Sequence, residues 1–103
     1  TTVTFDGGTT QVGIASANTH IQKVVVEKGA GNWTSANSTT EITVGDAVDN
    51  SRLFAGFEPA NGQFIFEADH TYSAQTTINA FITQGGASAG TATVKVFYAG
   101  TIT

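Results

Sequence analysis

Cysteine and methionine are absent from this 103-residue chain, proline occurs once, and charged residues make up only 12% of it. Without cysteine there is no disulfide staple, no thiolate nucleophile and no Cys-ligated zinc. Four Lys+Arg stand against eight Asp+Glu, giving a formal charge of -4. No basic stripe is therefore present to displace counterions from a phosphate backbone or to bind an anionic membrane surface, so neither nucleic acid nor membrane is expected as a partner. No apolar run approaches the ~18–20 residues that span a bilayer as a helix. With 40% hydrophobic residues, the low charge also argues against charge-driven disorder. Strong helix formers are sparse: one leucine (Leu53), one arginine (Arg52) and three lysines (Lys23, Lys28, Lys95).

Threonine dominates instead, at 18 positions, followed by 12 glycines. Threonine is β-branched and suits a pleated, half-wet surface. Period-two alternation recurs along the chain. It appears in Thr2–Phe5, Thr10–Ile14, Thr40–Val44, Gln63–Ala68, Thr76–Thr83 and Thr91–Tyr98. His20–Lys28 is the longest strand candidate, although neither of its faces is cleanly apolar, and Leu53–Phe57 is short and apolar. Turn signals such as Asp6-Gly7-Gly8, Pro59-Ala60-Asn61-Gly62 and Gly85-Gly86 separate these runs. The tail Ala99–Thr103 either extends the last strand or pairs elsewhere. The pattern predicts an all-β protein, a single antiparallel β-sandwich or jelly-roll domain of about eight short strands over 1–103.

Alternation assigns Val3, Val12, Ile14, Val24, Val26, Ile42, Val44, Leu53, Phe64, Phe66, Ile78, Ile82, Val94 and Val96 to the core. Phe81 and Phe97 fall on the outward faces of adjacent strand candidates, where two rings would form an apolar patch of the kind that contacts another chain. Trp33, in the glycine-flanked loop Gly29–Asn37, reads as a plug over the core, a partner anchor or a sugar platform.

Chemistry is thin. Asp69, His70 and Ser73 are close in sequence but lack any spacing that builds a triad. Two histidines, His20 and His70, far apart and without cysteine, are a weak metal signal. Asp46, Asp49 and Asn50 offer oxygens to calcium but not the spacing of a calcium loop. The glycine-rich Gly85–Gly90 has no Gly-Lys-Ser/Thr ending. Asn32-Trp33-Thr34 and Asn37-Ser38-Thr39 match the glycosylation pattern at a chance rate. No catalytic residue, metal or cofactor is expected. The first residues, Thr1-Thr2-Val3, fit either removal of an initiator Met or cleavage of a targeting segment.

Five phrases, Ile21–Glu27 (IQKVVVE), Thr40–Arg52 (TEITVGDAVDNSR), Gly62–Tyr72 (GQFIFEADHTY), Thr76–Ile82 (TTINAFI) and Gly86–Tyr98 (GASAGTATVKVFY), span about three quarters of the chain. Through them it resembles small structural proteins of tailed-bacteriophage virions, of the head-decoration or accessory type. The added residues Ala99–Thr103 depart from it. The resemblance implies a non-enzymatic β-sandwich, often a homotrimer, on the capsid surface of a virion, with capsid or other virion subunits as partners. Two alternatives remain open. One is an extracellular pilin-like fibre subunit, in which Thr1–Phe5 (with Thr1, Val3 and Phe5 as contact residues) is donated to a neighbour. The other is a small lectin using Trp33.

Overall fold

The structure is a computed structural model that describes residues 1–4, 8–28, 41–57, 63–83 and 91–103. Eight strands occur among them: β1 (Thr2–Thr4), β2 (Thr9–Ala15), β3 (Thr19–Lys28), β4 (Glu41–Gly45), β5 (Phe54–Phe57), β6 (Gln63–Tyr72), β7 (Thr76–Thr83) and β8 (Thr91–Ala99). They form two four-stranded sheets, β1-β8-β3-β6 and β2-β7-β4-β5, in which every neighbouring pair is antiparallel. The all-β expectation holds.

The pairing has a simple logic. First strand meets last, second meets seventh, third meets sixth and fourth meets fifth. The chain thus pairs like one long hairpin whose successive rungs lie in alternate sheets. The ladders β3/β8 and β4/β7 then knit the rungs together.

Between the sheets lie Val3, Ala15, Ile21, Val24, Val26, Ile42, Val44, Leu53, Phe54, Tyr72, Ile78, Ala80, Ala92 and Val94, with Val12, Phe66, Ile82 and Val96 packed against them. Phe54 meets Phe66 edge-on at 6.0 Å between centroids. The alternation therefore located most of the core. The side chain of Phe64 lies outside the described residues. Ile14 is a correction. The register of β2 against β7 shifts between Gln11 and Gly13, so Val12 is an extra residue and the faces exchange beyond it. Gly13 and Ala15 then point inward, and Ile14 sits opposite Thr77 on the outer side, only partly covered.

A second shift explains the mixed faces of β3. Its register changes between Ile21 and Lys23 against both β6 and β8. Ile21, Val24 and Val26 are all fully buried although their spacing is three and then two. The matching irregularity in β6 falls at Ala68–Asp69, where Asp69 takes a φ of 46°. This lets β6 run on through His70, Thr71 and Tyr72, beyond the alternating run Gln63–Ala68 read from the sequence.

The tail does not extend β8. Gly100, at φ 129°, turns the chain, and a β carbon there would lie 2.7 Å from Thr19 Oγ1. Thr19 is buried; its hydroxyl donates to the Thr101 carbonyl (3.1 Å) and accepts from the Thr101 N–H (3.2 Å). Beyond this corner the chain pairs with the edge of β2. Ile14 and Thr103 exchange N–H···O bonds of 3.0 and 2.9 Å, and Ser16 donates to Thr101 at 3.0 Å. The last residues therefore lace one sheet to the other.

Val94 is 2% exposed at the centre of this core. Val94→Asp is expected to abolish the folded state, because an unpaired buried carboxylate costs on the order of 5 kcal/mol, comparable to the whole stability of such a domain. Loss of the cooperative thermal transition is the readout; a soluble, cooperatively melting variant would contradict the register.

Candidate functional site

Two places in the fold gather side chains beyond what packing needs: the loop after β4, and the outer face of the β1-β8-β3-β6 sheet.

The loop is organised by Asp46, a buried carboxylate directly after β4. Its Oδ1 accepts the backbone N–H of Val48 (3.0 Å) and of Asp49 (2.9 Å). Its Oδ2 accepts Arg52 Nε at 2.7 Å and the Tyr72 hydroxyl at 2.9 Å. Gly45 permits the tight return, since a β carbon there would run into the carbonyl oxygen of Asp49. Burial alone would push the Asp46 carboxyl up, but the four donors outweigh it and hold its pKa below the ordinary carboxylate value. Burial, and then the bond to Asp46, raises the Tyr72 phenol well above its usual range.

Both Asp46 oxygens are thus occupied by positive hydrogen-bond ends, which leaves no lone pair directed at a cation. No group of three or more acids and histidines placed to hold a metal occurs among the described residues. A shallow pocket of about 300 Å³ opens beside the loop, lined among others by Val48, Arg52, His70, Ser73 and Thr76. Its chemistry is structural in character. The His70 ring stands edge-on to Tyr72 with centroids 4.6 Å apart. Asp69 bonds instead to the other histidine, His20 Nε2, at 3.0 Å, and His20 Nδ1 pairs with Thr71 Oγ1 at 2.7 Å. Asp69, His70 and Ser73 do not form a relay.

The outer sheet face is the better candidate for a contact. On β3 the outward residues are Lys23, Val25 and Glu27. Val25 lies between Ile65 of β6 and Lys95 of β8, and Lys23 lies between Glu67 and Phe97. Ile65 is 52% exposed and Phe97 43%, whereas Val25, hemmed in by its neighbours, is 4% exposed. Lys23 Nζ stands 4.7 Å above the Phe97 ring, a cation–π geometry that orients the ring while leaving part of it open. Lys95 Nζ pairs with Glu27 at 3.1 Å at one end of the strip.

The residues singled out from sequence are dispersed. Phe97 belongs to this strip. Phe81 does not join it: β7 and β8 lie in different sheets, so the two rings occupy opposite outer faces and make no common patch. Phe81 is half-buried, with Thr9 and Thr43 as its lateral neighbours. Val3 is buried in the chain's own core, opposite Ala92. The Thr1 amine donates to the Val94 carbonyl at 3.1 Å, and Val94 N–H donates back to the Thr1 carbonyl at 2.7 Å. Trp33, Phe5 and both glycosylation patterns lie outside the described residues. Ile65 and Lys23 were missed. Ile65 was legible as the apolar residue alternating out of phase with Phe64 and Phe66.

No protein-family model matches the sequence, and no curated protein matches it. Solved structures do match. One is a chain of the acidic stable capsid structure of Helicobacter pylori bacteriophage KHP30. It is 14% identical, with a TM-score of 0.79, over 99% of this chain and 86% of that one. Another is a chain of the cyanophage Pam1 capsid asymmetric unit, 18% identical with a TM-score of 0.68, over 94% of this chain and 79% of that one. The likeness is one of fold. Both matched chains are somewhat longer than this one, and the alignment spans most of each.

Asp46→Ala is expected to lower the unfolding free energy by roughly 3 kcal/mol, since it leaves Arg52, Tyr72 and two N–H groups without their acceptor. Because the folded-state pKa is depressed, the stabilisation by Asp46 is complete above the ordinary Asp value of about 4 and is lost as pH falls below it. The stability gap between the native chain and Asp46→Asn, measured by urea unfolding, should therefore narrow below about pH 4 and stay constant above pH 5 or so.

Proposed function

We propose that the protein is a non-enzymatic structural component of a phage virion, an accessory or cement protein that binds the assembled capsid lattice and reinforces it. The observation that carries this reading is the match of nearly the whole chain, at TM-scores of 0.79 and 0.68, to small chains within two phage capsid structures. The strand order supports it. Two four-stranded antiparallel sheets ordered β1-β8-β3-β6 and β2-β7-β4-β5 suit a jelly-roll reading, an architecture that viral capsid domains use repeatedly. The resemblance seen in the sequence points the same way, and implies a homotrimer on the capsid surface.

The mechanism is mass action. A protein that binds the assembled lattice and not its separated subunits stabilises the assembly by the free energy of that binding. Repetition over a symmetric shell multiplies a weak contact into a strong one. The exposed strip around Phe97 is the face this reading assigns to the contact, because it offers open apolar surface at Phe97 and Ile65.

The donated-strand alternative finds no support in the placement of β1, whose residues pair with β8 of the same chain and bury Val3.

The test is co-sedimentation with capsids of the phage that encodes the chain. Saturable, stoichiometric binding to assembled shells, absent with dissociated subunits, is the expected result; no binding to shells would overturn the reading. Phe97→Ser is expected to weaken the binding about tenfold, the scale of a truncated interface aromatic. Phe81→Ser, on the opposite face, should leave it unchanged.

A further inference from the structure

The sandwich has four sheet edges, and the described residues treat them unequally. β1 and β5 are three and four residues long. Edges that short offer little to a pairing strand. β2 is closed by the last residues of the chain, through the bonds of Ile14 and Ser16 to Thr103 and Thr101. β6 differs. It is ten residues long, and among the described residues its ladder runs to β3 alone. Among the described residues its regular portion spans Gln63–Glu67, and beyond Glu67 the register shifts and Asp69 adopts its positive φ. The middle residue of that segment is Ile65, the half-exposed end of the apolar strip.

We propose that the Gln63–Glu67 edge pairs antiparallel with the same edge of a second copy, about a twofold axis at Ile65, joining two four-stranded sheets into one of eight strands. Three observations select this occupant and this axis. First, an antiparallel pair of identical segments uses all its positions only when the axis passes through the middle residue. A centre beyond Ile65 runs one end into the register shift. Second, Lys95, Val25 and Ile65 are lateral neighbours across β8, β3 and β6. An axis at Ile65 prolongs that row into Val25–Ile65–Ile65–Val25, so the exposed isoleucine gains an apolar partner directly opposite. Third, the charges agree. Glu67 falls opposite position 63 of the second copy, whereas an axis at 67 would set two carboxylates face to face, which is destabilising.

The rest of β6 restrains promiscuous pairing: the irregularity at Ala68–Asp69 and the exposed Asp69 carboxylate interrupt the edge. The contact is short and correspondingly weak for an isolated pair, and a repeating array would strengthen it. A twofold link of this kind is additional to any threefold assembly. It needs no capsid, so its failure would leave the virion reading standing.

The test exploits the absence of cysteine, because one introduced thiol has no competitor. Opposed Cα atoms in an antiparallel pair lie about 4.5–5.5 Å apart, within reach of a disulfide. Ile65→Cys is therefore expected to give covalent dimers under mild oxidation at least about tenfold faster than Val48→Cys, by effective concentration. Val48, 89% exposed in the Asp46 loop, reports random collision. Circular dichroism of both variants verifies the fold. Equal rates, or faster linkage through Val48→Cys, would overturn the proposal. As an independent check, the native chain is expected to show a concentration-dependent dimer in sedimentation velocity that Ile65→Lys abolishes; a native chain that sediments without any dimer overturns the proposal too.

Discussion

Strand register is the constraint on which the rest of this structure depends. The interior is one thin layer of small aliphatic side chains, mostly Val, Ile and Ala, with Leu53, Phe54 and Tyr72 as its large members. Such a layer tolerates no sliding, because a slip of one residue exchanges the buried face of a strand for the wet one. Register is held at three points by something other than alternation. The extra residue Val12 re-aims β2, the paired irregularity at Gln22 and Ala68–Asp69 re-aims β3 and β6, and Asp46 ties the loop after β4 to Tyr72 of β6. The last of these spans the two sheets, so the polar hub and the apolar layer fix the same geometry from opposite chemistries.

Asp46 illustrates how a cluster of acids in a turn can suggest a ligand and serve the fold instead. Asp46, Asp49 and Arg52 lie within seven residues, and Tyr72 is brought to them only by the sheet packing. Each carboxylate oxygen of Asp46 receives two donors, which leaves a saturated and therefore inert anion. The same reasoning separates the two histidines. Both lie at the same end of the β3/β6 ladder, and each is engaged by a structural neighbour rather than by a nucleophile.

Much of the fold was legible in the sequence because period-two alternation is a local signal. All eight strands were found, most within one or two residues of their ends. What escaped was non-local. Ile14 was assigned inward because alternation carries straight through Val12, and only the ladder with β7 exposes the extra residue. The prolongation of β6 past Ala68 was hidden because Asp69-His70 reads as turn chemistry, while the ladder with β3 accommodates it as a bulge. Phe81 and Phe97 were both correctly placed outward, yet their partnership failed because sequence neighbours β7 and β8 belong to different sheets. The contact strip was half visible: Phe97 stood out by its parity, and Ile65 was overlooked beside two phenylalanines that drew attention to the other face.

The reverse order of pairing has a consequence for how the molecule comes into being. β3, the long strand at the heart of one sheet, receives its two neighbours only from β6 and β8, both in the later half of the chain. During synthesis, β1, β2 and β3 therefore emerge before the described strands they pair with, since each pairs with a segment made after it. Completion of this sheet must await β6 and β8, and nascent chains spend that interval with the valine-rich β3 lacking those partners. Dominance of such distant pairings also places the domain among slow folders rather than fast ones.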